Sequence, residues 1–203
     1  MPEPSTPLHS AADALERLQE GNERFRAGTS HLDRCHADML AHLVHGQRPY
    51  ATILCCSDSR VVPEIIFDAA LGELFVVRVA GNVLSAEVAG SLQYAGAHLG
   101  TPLFVIMGHE GCGAVQATLD TMVRGTEQHS RIQALVDSIM PGLGGLDVWL
   151  SHDELLSQAV EANVRWTLQQ IEQAPEAAAA RTAGRMIVGA VYDLETGRVR
   201  ILA

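Results

Sequence analysis

Short apolar segments alternating with helix-like ones constrain this chain more than any other feature. Ala51-Thr52-Ile53-Leu54, Leu74 to Val79, Leu103 to Met107 and Met186 to Tyr192 are rich in Val, Ile and Leu and bounded by Gly or Pro. They are too short for buried helices and read as buried strands. Between them lie stretches with helical spacing and caps. The alternation predicts an α/β fold: a mostly parallel sheet flanked by helices, with an antiparallel edge strand. The edge strand is Arg198 to Leu202, returning from the turn Glu195-Thr196-Gly197.

The helical segments follow from their caps. Ser10 with Asp13 opens a helix to about Phe25, stopped by Gly28, and a second is expected from about Arg34 to His45. Pro63 starts a short helix over Glu64 to Ala69. Ser85 caps a helix from Ala86 to Leu99. Gly113 opens one of about ten residues that ends near Gly125. Another runs from about Gln128 to Ile139, before a break at Pro141 to Gly145. Ser151 and Glu154 form a capping box for a helix to about Gln173, and a last piece passes through the alanines at 177–180. Residues 1–9 are Pro-rich and expected to be flexible, 10–46 form an N-terminal helical arm, and 1–203 read as one domain with no dividing linker.

Aromatic residues make up only 4% of the chain, so the core must be aliphatic. A net charge of −10 argues against nucleic acid and anionic membrane surfaces as partners. No apolar run approaches a membrane span, and the first residues lack the pattern of a signal peptide; a cytoplasmic location is the expectation. Four cysteines in 203 residues do not make a disulfide framework, which leaves thiols for metal or chemistry.

Two of those thiols stand where strands end. Cys55-Cys56-Ser57-Asp58-Ser59-Arg60 follows the first strand, and Gly108-His109-Glu110-Gly111-Cys112-Gly113 follows the third. Ligands of open α/β sheets bind at the carboxyl ends of strands. His109 and Cys112 straddle a glycine-rich turn and can offer two donors to one ion. Cys112 also precedes a helix, whose dipole favours a thiolate. Cys56 is the candidate third ligand. Its neighbour Cys55 must point the other way in extended backbone and reads as a small buried residue. Sulfur, sulfur and nitrogen suit zinc, and three protein ligands rather than four mark a catalytic site. Asp58 and Arg60 lie two apart and can pair beside the metal, with the carboxylate accepting a proton.

The motifs Cys56-Ser57-Asp58-Ser59-Arg60 and His109-Glu110-Gly111-Cys112 resemble the paired C-x-D-S-R and H-x-x-C motifs of the β-class carbonic anhydrases. The resemblance also covers Leu71 to Asn82 and Gly90-Ser91-Leu92-Gln93-Tyr94. It extends more loosely to Gly21 to Phe25 and to Tyr192 to Val199. It implies one zinc per chain on Cys56, His109 and Cys112, and a catalytic dyad of Asp58 and Arg60. The implied reaction is attack of zinc-bound hydroxide on carbon dioxide to give bicarbonate and a proton. The resemblance further implies that Asp58 has a closed alternative on the metal. It also implies a homodimer, often paired into a tetramer, with the N-terminal helices over the partner. Some members hold bicarbonate at an inhibitory site of Trp, Arg and Tyr. Arg78 and Tyr192 match the last two, but Ile53 stands at the Trp position. Val79 and Val62-Pro63 are further departures. Val61, Val83 and Leu84 are candidates for an apolar wall.

Three other functions fit parts of the sequence. A sulfurtransferase-like anion loop spans Cys55 to Arg60, but Asp58 would repel the anion and His109 and Cys112 would go unused. A zinc hydrolase of carbonyl sulfide or carbon disulfide would need the same residues. A non-catalytic zinc module would not need Asp58 and Arg60. A second metal site from Cys35, His36, His42 and His45 matches no compact ligand spacing. His9, His31, His129 and His152 read as surface residues, and Glu110 reads as solvated.

Overall fold

A computed structural model describes residues 10–31, 40–175 and 177–202. The segment 1–9, expected to be flexible, and Cys35 and His36, expected in the second helix, lie outside them. The sheet has five strands: β1 (Ala51–Cys55), β2 (Leu74–Arg78), β3 (Leu103–His109), β4 (Met186–Tyr192) and β5 (Val199–Leu202). Their order is β2-β1-β3-β4-β5. All neighbours run parallel except β4 and β5, which pair antiparallel at one edge.

Burial explains why β1 and β3 lack polar alternation. Every residue of both is buried, because helices cover the two faces. On one face, α1 (Ala11–Arg26) and α3 (Pro63–Ile66) pack with Ile53, Cys55, Val105, Met107 and Ala190. On the other, α4 (Ala86–Ala97), α5 (Gly113–Arg124), α6 (Arg131–Leu143) and α7 (His152–Gln173) pack with Leu54, Cys56, Ile106 and Val191. The four-residue α2 (Leu40–Leu43), the six-residue α8 (Ala177–Thr182) and a 3-10 turn at Ala80–Asn82 complete the described helices. No described helix is long and apolar enough to cross a membrane.

The boundaries differ from expectation in instructive places. α1 has the expected capping box, with Ser10 Oγ accepting from the Asp13 amide and Asp13 Oδ2 from the Ser10 amide. α3 stops at Ile66 rather than Ala69. Asp68 takes φ +48° and accepts from Arg24 Nε at 2.6 Å and from the His31 amide at 2.6 Å. That tie to the end of α1 ends the helix. It also gives His31 a partner, its Nδ1 lying 3.1 Å from Asp68 Oδ2. α6 begins at Arg131 rather than Gln128 and runs through Pro141 to Leu143. A proline in the last turn forfeits its own N–H, and the helix ends two residues later. β3 continues two residues past Met107, which makes His109 the last residue of the strand.

Candidate metal centre

The sheet delivers the two sequence clusters to one place. β1 and β3 are adjacent and parallel, so the residues after Cys55 and around His109 emerge at the same edge. Cys55 and Cys56 do face opposite ways. Cys55 lies in the core on the α1 side, and Cys56 lies in the other core with Cys112. Burial pushes the Cys55 thiol up to about 12, which suits an inert core residue.

Cys56, His109 and Cys112 are all buried, and their ligand atoms lie within 4.8 Å of one another. The two sulfurs are 4.0 Å apart. Tetrahedral zinc with Zn–S near 2.3 Å would set them about 3.8 Å apart. The backbone carbonyl of Glu110 lies 3.0 Å from His109 Nδ1. A carbonyl only accepts, so Nδ1 carries the proton and Nε2 keeps a free lone pair. That Nε2 is buried without a hydrogen-bond partner. An orphaned imidazole nitrogen beside two thiols is the donor set that a borderline-soft cation satisfies.

The electrostatics agree. The Cys56 thiol is pulled well down, first by the hydrogen bond from Cys112, with the Gly81 amide helping. The same contact pushes Cys112 up, reinforced by burial. The α5 amides of Ala114 and Val115 favour its thiolate, although neither makes a capping hydrogen bond. The pair holds one negative charge readily and resists the second, a resistance that a divalent cation would remove.

Asp58 is turned to Arg60. Arg60 Nε donates to Oδ1 at 3.0 Å, its terminal nitrogen to Oδ2 at 2.8 Å, and its backbone N–H to Oδ1 at 2.9 Å. The guanidinium holds the Asp58 carboxyl far below the usual carboxylate range, and Arg60 is raised in turn. Asp58 Oδ2 stands 3.9 Å from His109 Nε2, beyond a hydrogen bond and near enough to share a small guest. Arg60 is exposed at the mouth.

Several contacts were not foreseen from the sequence. The Gly81 amide donates to Cys56 Sγ at 3.4 Å. Gly81 has φ +66° and stands where a Cβ would lie 2.7 Å from Ile139 Cδ1, so glycine is needed twice over. Arg78 donates to the carbonyls of Cys56 at 3.3 Å and Asp58 at 2.7 Å. Its guanidinium, which the resemblance matched to the inhibitory bicarbonate site, is thus engaged by the loop that follows β1. Tyr192 is buried opposite His109 in the β3–β4 register, and Ile53 is fully buried in the sheet. Glu110 is not free in solvent, since Ser157 Oγ donates to its Oε1 at 3.1 Å. Val83 shares the core of Cys56 and Cys112, whereas Val61 packs on the opposite side of the sheet. Leu84 lines a separate apolar groove of about 450 Å³ along α4, which none of the five candidate residues reaches. Of the second-metal-site candidates, Cys35 and His36 and the His42 side chain are not among the described parts, and His45 is exposed.

The chain is similar to known proteins. The family described as carbonic anhydrase matches residues 51–199. Carbonic anhydrase 2 of Mycobacterium tuberculosis is 40% identical over 187 residues, which is 91% of this chain and 89% of that one. The β-carbonic anhydrase CafA of Aspergillus fumigatus superposes with a TM-score of 0.71 at 26% identity, covering 94% of this chain and 89% of that one. A chain from the crystal structures of two tetrameric β-carbonic anhydrases of Sordaria macrospora shares the fold, with a TM-score of 0.73 at 20% identity over 94% of this chain and 98% of that one. With a match over most of its length and close relatives along nearly all of it, the chain belongs to the β-class carbonic anhydrases.

Proposed function

We propose that this protein catalyses the reversible hydration of carbon dioxide to bicarbonate and a proton, using one zinc ion per chain held by Cys56, His109 and Cys112. The observation that carries this reading is the convergence of two buried sulfurs and a bare imidazole nitrogen within 4.8 Å, beside an intact Asp–Arg pair. Zinc bound there would supply a water acidified enough to act as a nucleophile.

The chain's own residues do the rest. The Glu110 carbonyl keeps the proton on His109 Nδ1 and so presents Nε2. Cys56 and Cys112 provide the charge that retains a divalent ion. Asp58 stays ionised because Arg60 occupies both of its oxygens. Asp58 Oδ2, 3.9 Å from Nε2, would accept a hydrogen bond from a water held at the metal site, and that bond would turn the water's lone pair toward the substrate. Arg60, exposed at the mouth, fixes the carboxylate's direction. Val83 gives apolar surface on the buried side, which suits an uncharged guest.

Two thiolates cancel the formal charge of the ion, so the water is less acidic than one held by three neutral imidazoles. Stopped-flow hydration on the zinc-loaded protein is therefore expected to climb with pH above neutrality. A profile already flat below neutrality contradicts the charge argument, and hydration at the buffer rate with zinc bound sinks the reading.

The working assembly in this reading is a homodimer, or a tetramer as in the Sordaria relatives. The outer edge of β2 has no strand partner among the described residues. Beside it Leu71 and Tyr94 are exposed, with Tyr94 close to Phe75 and His98. Light scattering is expected to give at least twice the chain mass, and a monomer at micromolar concentration overturns the assembly. The unpaired thiols at Cys55, Cys56 and Cys112 suit a reducing compartment, which supports a cytoplasmic location.

A further inference from the structure

Helix α7 touches both halves of the ligand set. Ser157, Val160, Val164 and Thr167 recur at helical spacing along it, with Asn163 beside them. Ser157 Oγ donates to Glu110 Oε1 at 3.1 Å. Glu110 is the residue whose carbonyl orients His109, and its own amide is tied to the Tyr192 carbonyl at 2.9 Å. One turn on, Val160 and Val164 close over Gly108, where a Cβ would lie 2.7 Å from Val164 Cγ2 and 3.2 Å from Val160 Cγ1. The strand end that presents His109 is therefore gripped by α7 before and after the histidine.

The same helix reaches the other ligand. Asn163 Nδ2 donates to the Gly81 carbonyl at 2.8 Å, and the Gly81 amide donates to Cys56 Sγ. Thr167 Oγ1 donates to the next carbonyl, Asn82, at 3.3 Å. Asn163 and Thr167 are buried, at 1% and 0% exposure. Burying an amide and a hydroxyl on a helix that packs against aliphatic strands is unfavourable unless each makes a bond that matters, and leucine or valine would fill the space. What these side chains add over apolar ones is placement of two loops that carry chemistry.

We propose that Ser157 and Asn163 are positioning residues of the metal site. Ser157 holds His109 through Glu110, and Asn163 holds Cys56 through Gly81, so one rigid helix sets the separation of ligands that come from distant parts of the chain. The inference rests on the zinc reading above.

The test measures zinc release to a chelator from the zinc-loaded protein, the visible spectrum of the cobalt-substituted protein, and the melting temperature of the zinc-free protein. Ser157→Ala and Glu110→Ala are each expected to release zinc about 10-fold faster, the size typical of lost outer contacts to a ligand. Combining them should add nothing further, since they break one contact. Glu110→Gln keeps an acceptor for the Ser157 hydroxyl and should restore slow release. Asn163→Ala should move the sulfur-to-cobalt absorption, with Asn163→Ser as the milder variant should that protein fold poorly, and an unmoved band in the folded variant overturns the role of Asn163. Release at the wild-type rate in both Ser157→Ala and Glu110→Ala overturns the proposal. So does a loss of zinc-free melting temperature that tracks the faster release, because the contact would then be only structural. A wild-type protein that takes up no zinc overturns the metal reading and this proposal together, whereas a zinc-holding wild type with indifferent variants overturns this proposal alone.

Discussion

Cys112→Ser is expected to empty the metal site and to lower hydration by several orders of magnitude while leaving the fold in place. The substitution is nearly isosteric at a fully buried position, so packing changes little. The chemistry changes a great deal. A serine hydroxyl is a hard donor that stays protonated at any usable pH, and the ion would lose one of two anionic ligands. The remaining pair, Cys56 and His109, cannot hold a borderline-soft cation against a chelator. Metal analysis of the purified variant beside its circular dichroism spectrum checks this, with Cys55→Ser as the control. Cys55 faces the α1-side core, so that control should keep full zinc. A Cys112→Ser protein with zinc and turnover intact would remove Cys112 from the ligand set.

The second large effect is at Asp58. Asp58→Asn should keep zinc but lower kcat by roughly 10²-fold or more, the scale of a lost orienting contact. Asparagine preserves the shape and still offers one oxygen to Arg60, yet its other terminal atom is then an N–H donor that cannot accept a hydrogen bond from the water. The sign of the pH dependence sharpens the test. The Asp58 pKa lies far below that of a free carboxylate, so its ionised form is favoured by folding. That stabilising contribution is present above the ordinary carboxylate pKa and is lost only as pH falls through the depressed value. Asp58 is thus ionised across the whole working range. The variant should lower the plateau of the rate profile without moving its midpoint. A shifted midpoint, or near-normal turnover, would take the orienting role away from Asp58.

Much of this architecture was legible in the sequence because local signals and burial agree. The central strands β1 and β3 read as apolar runs since both of their faces are covered, β2 and β4 are only partly buried, and the Ser10–Asp13 and Ser151–Glu154 caps appear as their spacing predicts. The ligand candidates were legible because cysteine and histidine stood at strand ends. What could not be read is long-range. The Ser157–Glu110 contact spans 47 residues and the Asn163–Gly81 contact spans 82. The only local hint was an asparagine at 163 among the apolar residues of α7. Gly108 suggested a turn, yet it continues β3 because Val160 and Val164 need the room a side chain would take. The end of α3 was equally hidden, being set by Arg24 and His31 acting on Asp68 from another part of the chain.

The adjacency of Cys55 and Cys56 on opposite faces of β1 has a consequence for folding. If zinc binds as proposed, sliding that strand by a single residue would put the wrong sulfur toward the ion, and this sulfur is a donor of the same kind. Metal affinity would then not proofread the alignment of β1, and the packing of Ile53 and Leu54 into two separate cores would have to. A molecule trapped one step out of alignment would still carry its metal while Asp58 and Arg60 sat in the wrong place, so a full complement of zinc is no guarantee of a competent enzyme.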